Sequence, residues 1–501
     1  MSEDIVNIST KEVQGQTSSY RSIFKATSLF GGVQVYQILI GIIKAKFVAV
    51  LLGPAGMGIQ GLYQSTLDLI KCITAFGLEQ SAVRDVSEAN GSGDADMIGR
   101  TVATAQRIVW LTGTLGLILT LVLSPILSKL TFGNGDYTWG FAILSGTLLI
   151  NQLCSGQKVI LQGMRRLKDL AKASAIGSTF GLLVSVPLYY LIGVKGIVPS
   201  MVLSSIVAML LSWFYSRKVI IKETKITTKN ALANGRSMLK MGIAMSVSGI
   251  LVTFFAYILR WFIRMQGGVD EVGLFTAGFV IMNTYVGMVF TAMGTDYYPR
   301  LAAINKDNNS CREIINQQGE IALLIIAPVI VSCVVLMPLI IRIIYSNEFL
   351  PANNFIMFAV SGMLFKAVSF VISYVFLAKA ESKLFVINET ISSIYIYTLN
   401  IAGYYLGGLL GLGIAFALGY LIYFVHVFII ARVRYGFYFS DSFKKIFLIQ
   451  FVLVYSGLLI AYLLRFSLWR YMATIVFFIC AVFSFVELNN RLKIFPLGNK
   501  R

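Results

Sequence analysis

Charge is scarce in this chain: 13% of its 501 residues are Asp, Glu, Lys or Arg, against about a quarter in an ordinary soluble domain. So little charge cannot clothe a soluble surface, which excludes a conventional globular protein. Five cysteines (Cys72, Cys154, Cys311, Cys333 and Cys480) stand singly, with no CxxC pair, and there is one histidine. Cysteine and histidine ligand sites are thereby excluded, and the thiols read as small core residues. The polar, net acidic first twenty residues lack the basic start, short apolar core and cleavage site of a secretory signal, so the amino terminus is expected to stay on the side of synthesis. No polar segment is long enough to form a soluble domain of usual size.

Apolar sequence takes that space: 57% of residues are hydrophobic and the mean hydropathy is +0.77. Runs of about 20 apolar residues, the length of one bilayer crossing, recur from Ile23 to Val486. Stretches such as Ile321 to Ile341 are apolar almost all round, which fits helices and not the alternating strands of a barrel. The fold class expected is an all-α polytopic membrane protein.

The net charge is +19, yet the basic residues fall in the breaks between apolar runs rather than in one aromatic-studded patch, so nucleic acid is not an expected partner. Roughly 31 of the 42 Lys and Arg fall in alternate breaks and about 7 in the others, which assigns the richer side to the cytoplasm. About fourteen helices result, near 22–52, 58–86, 97–128, 138–163, 169–192, 196–217, 236–265, 273–302, 313–345, 351–378, 383–405, 411–432, 446–465 and 469–487. The expected organisation is a cytoplasmic tail (1–21), a six-helix lobe (22–217), a cytoplasmic linker (218–235), a second six-helix lobe (236–435), and two further helices with a basic cytoplasmic tail (436–501). Short outer loops, such as Gly53 to Met57 and Gly267 to Glu271, leave no room for the catalytic loops of a membrane glycosyltransferase or polymerase. A transporter rather than an enzyme is expected.

The halves echo each other. Arg165, Arg166 and Lys168 open a helix ending in Tyr189-Tyr190-Leu191-Ile192-Gly193; Lys379 to Lys383 open one ending in Tyr404-Tyr405-Leu406-Gly407-Gly408. Phe132-Gly133-Asn134 has its counterpart in Tyr345-Ser346-Asn347. A repeat of about six helices keeps both copies in the same orientation, related by an axis along the membrane normal, and suits a transporter whose two bundles rock.

Ionised side chains within apolar helices cost about 3 kcal/mol at the bilayer centre and normally face water or a partner. Lys44, Lys46, Asp68, Lys71, Arg260, Arg264, Lys366 and Glu389 are such residues. Asp68 and Lys71 share a helix face and either neutralise each other or serve a site. Lys44 and Lys46 point to nearly opposite faces, so one at most faces a cavity. Arg260 and Arg264 share a face, as a donor cluster or as snorkelling side chains near the outer end. Lys366 has no carboxylate within a helical turn; it either pairs with Glu389 on the next helix or faces an aqueous cavity. This excess of cations favours an anionic cargo such as a pyrophosphate. His426 is either a proton carrier or a hydrogen-bonded core residue.

Over about residues 22–435 the chain resembles the O-antigen flippases of the Wzx type, within the multidrug/oligosaccharidyl-lipid/polysaccharide (MOP) exporter superfamily. The resemblance is carried by Lys46-Phe47-Val48-Ala49-Val50-Leu51-Leu52-Gly53-Pro54-Ala55-Gly56-Met57-Gly58, by Asp270-Glu271-Val272-Gly273-Leu274-Phe275, by Tyr297-Tyr298-Pro299-Arg300-Leu301, and by Lys366 through Ala378-Lys379-Ala380 to Glu389. It implies two pseudo-symmetric six-helix bundles around a cationic cavity, here with two extra carboxyl-terminal helices, and alternating access that moves an undecaprenyl-pyrophosphate-linked oligosaccharide across the bacterial inner membrane. The substrate-binding residues expected are Lys46, Lys71, Arg260, Arg264 and Lys366, with Asp68, Glu389 and His426 as coupling or charge-pair candidates. No cofactor or metal is expected; coupling to H+ or Na+ is open. Partners implied are the lipid-linked oligosaccharide, membrane lipids and glycan-assembly proteins. Peptidoglycan-precursor flippases and ion-coupled small-molecule exporters of the same superfamily are the alternatives, with a membrane glycan polymerase or transferase behind them. Gln64 stands where some relatives carry an arginine early in the second helix, which leaves the phosphate-binding set there open.

Overall fold

The computed structural model describes the backbone of residues 2–224, 226–287, 289–290, 297, 300–379, 381–463 and 468–492. Side chains are described from residue 32 onward within these ranges, except at 244–245, 247–248, 285, 382, 468–471 and 492. Among the described residues the regular structure is helix, without strand. In chain order the α-helices are α1 (Ser2–Thr74), α2 (Leu78–Ser92), α3 (Ala95–Phe132), α4 (Thr138–Gly163), α5 (Leu167–Ile192), α6 (Ile197–Ser216), α7 (Thr228–Asn234), α8 (Arg236–Val280), α9 (Asn308–Ile344), α10 (Ala352–Ser361), α11 (Met363–Ala378), α12 (Ser382–Tyr435), α13 (Asp441–Leu463) and α14 (Leu468–Leu492). A π-helical turn, Ile281–Val286, extends α8.

Eight of the described helices are long and apolar enough to cross a membrane, nine if α10 and α11, bent by 41° at their junction, are one span. The chain is thus a multi-pass membrane protein. Four of the eight candidate spans contain 43, 50, 36 and 53 residues, well beyond the roughly 20 that one crossing needs. Each is broken near its middle: at Gly53, at Gly193–Gly196, at Gly268 and at Gly407–Gly408.

Gly53 shows why glycine stands at such a break. Its φ of 64° lies in the left-handed region that side chains resist, and Pro54 then opens the next arm, where its missing N–H costs nothing. The following glycines have another role, which a turn motif alone does not reveal. A Cβ on Gly58 would lie 2.0 Å from the Val269 carbonyl oxygen, and one on Gly273 would lie 1.9 Å from that of Pro54. These two broken helices therefore touch backbone to backbone, the close approach that small residues permit in membranes.

The described contacts form two compact units: one runs to Leu51 and resumes over Thr66–Ile250, and the other combines Leu52–Ser65 with the chain from Leu251 onward. In the first unit, α5 and α6 pair antiparallel. Ser200 donates to the Tyr189 hydroxyl at 2.8 Å, and Ser185 and Ser204 share a hydrogen bond of 3.3 Å. Gln152 of α4 reaches Thr112 of α3 at 3.1 Å, a polar link between apolar helices. The expected helix over 58–86 is interrupted between Thr74 and Leu78. The cause is a crossing: a Cβ on Gly77 would lie 2.2 Å from the Gly242 carbonyl oxygen, and Gly77 itself adopts a φ of 60°.

The second unit is built around α9, whose residues are buried along almost its whole length. Helices α13 and α14 pack on it and are clasped at one end. Arg491 of α14 donates to Glu320 of α9 at 3.0 Å, to Ser442 at 3.0 Å and to Glu487. Asn316 of α9 accepts the Ser440 amide at 2.9 Å. In the motif at 297–301, Tyr297 is buried and donates to the Val371 carbonyl at 2.8 Å, while Tyr298 and Pro299 lie outside the described residues, as does the tail from residue 493.

Candidate functional site

A cation–tyrosine–carboxylate cluster occupies the second unit, assembled from α8, α11 and both arms of α12. Lys366, on α11, is half-buried, with its Nζ 5.1 Å from the centre of the Tyr420 ring and 5.6 Å from that of Phe290. Both lie within cation–π range, and such contacts stabilise an ammonium while leaving its N–H donors available.

No direct ion pair joins Lys366 to Glu389, although the lysine's charge acts on that carboxylate. Glu389 instead accepts a hydrogen bond from Tyr423 at 2.7 Å, across the two arms of α12. Tyr395 and His426 Nδ1 lie 3.4 Å apart, and the Glu389 charge also acts on Tyr395. The single histidine is thus placed beside the carboxylate through a tyrosine. Asn388, next to Glu389 in sequence, is buried at 1% exposure, and its side-chain amide interacts with the Tyr423 hydroxyl. Its neighbours Ser392 and Ser393 are buried too.

Arg260, on the first arm of α8, is half-buried. Its guanidinium lies 5.3 Å from the Phe279 ring and 5.5 Å from the Phe275 ring, both on the arm beyond Gly268, and donates to the Ala256 carbonyl at 3.2 Å. Its charge acts on Tyr397, which stacks on Phe255 at 5.2 Å and interacts electrostatically with Tyr420. Arg260, Tyr397, Tyr420 and Lys366 therefore succeed one another through neighbouring groups. Arg264, one turn beyond Arg260, is also half-buried.

In the first unit, Lys46 and Lys71 are half-buried and Asp68 is exposed. Reading charges alone misses the aromatic members of the cluster: Tyr395, Tyr397, Tyr420, Tyr423 and Phe290. A tyrosine in an apolar helix looks like core. The available signal was the paired spacing of 395/397 and 420/423 on the two arms of a helix whose first arm also carries Glu389.

Half-buried cations thus stand within helices long and apolar enough to span a bilayer, on an all-helical frame of broken spans. Two solved structures share the fold. One is described as an inward-facing multidrug resistance MATE family transporter of the MOP superfamily (TM-score 0.68, 17% identity, 82% of this chain and 96% of that one). The other is described as lipid II flippase MurJ in an inward closed conformation (TM-score 0.68, 14% identity, 93% of this chain and 99% of that one). Residues 47–354 match the family described as polysaccharide biosynthesis protein, and the chain belongs to that family. Among its relatives is the lipid III flippase of Escherichia coli (strain K12), 23% identical over 418 residues, covering 80% of this chain and 96% of the relative.

Proposed function

We propose that the protein is a flippase that carries an undecaprenyl-pyrophosphate-linked oligosaccharide, an O-antigen or similar surface-glycan repeat unit, from the cytoplasmic to the periplasmic leaflet of the bacterial inner membrane. The observation that carries this reading is Lys366, a cation held between Phe290 and Tyr420 on an apolar helix, with Arg260 in the same chain of neighbours. Charge-assisted hydrogen bonds from such donors to a diphosphate are each worth about 1.5–3 kcal/mol. The lipid III flippase among the relatives supports a lipid-linked cargo.

In this reading Lys46, Lys71, Arg260, Arg264 and Lys366 receive the pyrophosphate. Asp68, Glu389 and His426 exchange protons or a cation as the lobes 22–217 and 236–435 alternate in access. Each arm of a broken span is one crossing; with α4 and the bent pair of α10 and α11 this yields the expected fourteen, both termini being cytoplasmic. A second reading, a peptidoglycan-precursor flippase, is favoured by the 93% of this chain that the MurJ fold covers.

The two separate in cells. A strain lacking its O-antigen flippase should regain surface glycan when it makes this protein together with the matching glycosyltransferases. Rescue of a strain lacking its peptidoglycan-precursor flippase, without surface glycan, would favour the second reading.

A further inference from the structure

The first unit carries a second cationic feature, away from every residue assigned above. Helix α3 presents Arg107, Trp110, Leu111, Thr114, Leu115 and Ile118, whose spacing of three and four residues makes one helical stripe. They line a shallow apolar furrow of about 440 Å³. Arg107 and Trp110 also line a larger cleft of about 860 Å³, walled by the ends of α4 and α6 and the linker that follows. The furrow thus opens into the cleft at a shared arginine and a shared tryptophan.

The cleft is polar and net cationic. Arg217 stacks its guanidinium 4.2 Å over the Trp213 ring, which fixes its plane without using its N–H donors. Arg107 donates through Nε to the Thr228 hydroxyl at 3.0 Å, so its terminal amino groups are the donors left. Lys222 is engaged by Asp96 at 2.7 Å. Glu223 is the one acid on the wall, set against Arg107 and Arg217. Trp110 and Trp213, both exposed, supply the amphipathic rings that favour the headgroup level of a bilayer.

We propose that this cleft and furrow bind one anionic glycerophospholipid of the surrounding leaflet. Its phosphodiester is received by Arg107 and Arg217, and one acyl chain lies along Trp110, Leu115 and Ile118. Charge complementarity selects an anionic head, and the attached apolar furrow selects a lipid over free phosphate. The site lies in the first unit and does not depend on which cargo is flipped.

Brominated lipids test this directly, because bromine on an acyl chain quenches tryptophan only on contact. The full-length protein is placed in phosphatidylcholine vesicles containing brominated phosphatidylglycerol or, at equal mole fraction, brominated phosphatidylcholine. We expect at least about twofold stronger quenching by the anionic lipid. The excess should be lost in the Arg107→Gln/Arg217→Gln variant and in the Trp110→Phe/Trp213→Phe variant, and millimolar inorganic phosphate should leave it intact. Equal quenching by the two lipids, an excess that survives the arginine substitutions, or displacement by phosphate would overturn the proposal. Displacement by undecaprenyl phosphate would overturn it too, by giving the cleft to the cargo. Should the arginine variant fail to fold, as read by gel filtration, the tryptophan variant decides alone.

Discussion

Lys366 holds its ammonium 5.1 Å from the centre of the Tyr420 ring, on the face of α12 that the neighbouring α11 packs against. The ring quadrupole stabilises the cation without neutralising it, whereas a carboxylate would cancel it. A cation kept in this way can meet a diphosphate and release it again.

Lys366→Ala is therefore expected to cut surface-glycan export at least about tenfold, equivalent to about 1.4 kcal/mol, with the protein still present in membrane fractions. Tyr420→Phe, which keeps the ring, should stay near wild type, and Tyr420→Leu should fall toward the alanine variant. Glycan display on cells, normalised to protein in the membrane, measures all three.

Glu389 and Tyr423 are joined across the arms of α12 at 2.7 Å. If this carboxylate couples transport to an ion, Glu389→Gln should remove the acceleration that an imposed proton or sodium gradient gives in reconstituted vesicles. Tyr423→Phe should weaken it by a smaller factor, since it removes one hydrogen bond worth about 1 kcal/mol. Unaltered gradient dependence in Glu389→Gln would take the residue out of coupling.

The contact between the two glycine-bearing breaks makes a stability prediction. Gly58→Ala would drive a methyl group to 2.0 Å from the Val269 carbonyl oxygen, and Gly273→Ala would do the same at Pro54. Overpacking of this kind costs about 1–3 kcal/mol, so both variants should melt several degrees lower in detergent. Gly135→Ala, where nothing lies within 4 Å, is the control and should not.

Arg491 clasps the last helix to α9 through Glu320, which is 8% exposed. Removing the arginine leaves a buried carboxylate without its partner, a loss of about 3–5 kcal/mol. Arg491→Ala should lower the melting temperature of the protein in detergent, and Arg491→Ala/Glu320→Gln should restore part of the loss.

Glu381, at the turn between α11 and α12, is held below the usual carboxylate range by the Arg434 guanidinium 2.6 Å away. A carboxylate depressed in the folded state adds stability above its unfolded value and loses it as pH falls through the folded one. Acidifying from pH 6 to pH 3 should therefore shrink the difference in melting temperature between wild type and Glu381→Gln. The Arg434 side chain is exposed and that of Glu381 partly so, so the difference itself should be small.

The helical membrane class was legible because apolar runs with little charge have no other solution in lipid. The breaks at Gly53, Gly193, Gly268 and Gly407–Gly408 were legible too, since glycine and short polar segments interrupt the runs there. The interruption between Thr74 and Leu78 was not. It depends on Gly77 meeting Gly242, a contact between residues far apart in sequence. The grouping of Leu52–Ser65 with the later part of the chain likewise rests on Gly58 meeting Val269.

At the site, charge in an apolar helix pointed to Lys366, Arg260 and Glu389. What sequence left open was their company. Whether Lys366 pairs with Glu389 is decided by side-chain geometry across α11 and α12, where Tyr420 and Tyr423 each take one of the two.

The central claim is tested most directly with purified protein in sealed vesicles that hold a fluorescent undecaprenyl-pyrophosphate oligosaccharide. A membrane-impermeant reagent that destroys sugars in the outer leaflet reports movement across the bilayer. The account predicts that wild-type protein brings nearly all of the lipid within reach of the reagent, and that Lys366→Ala protein leaves the inner half protected. Movement at the same rate in both proteins would contradict it.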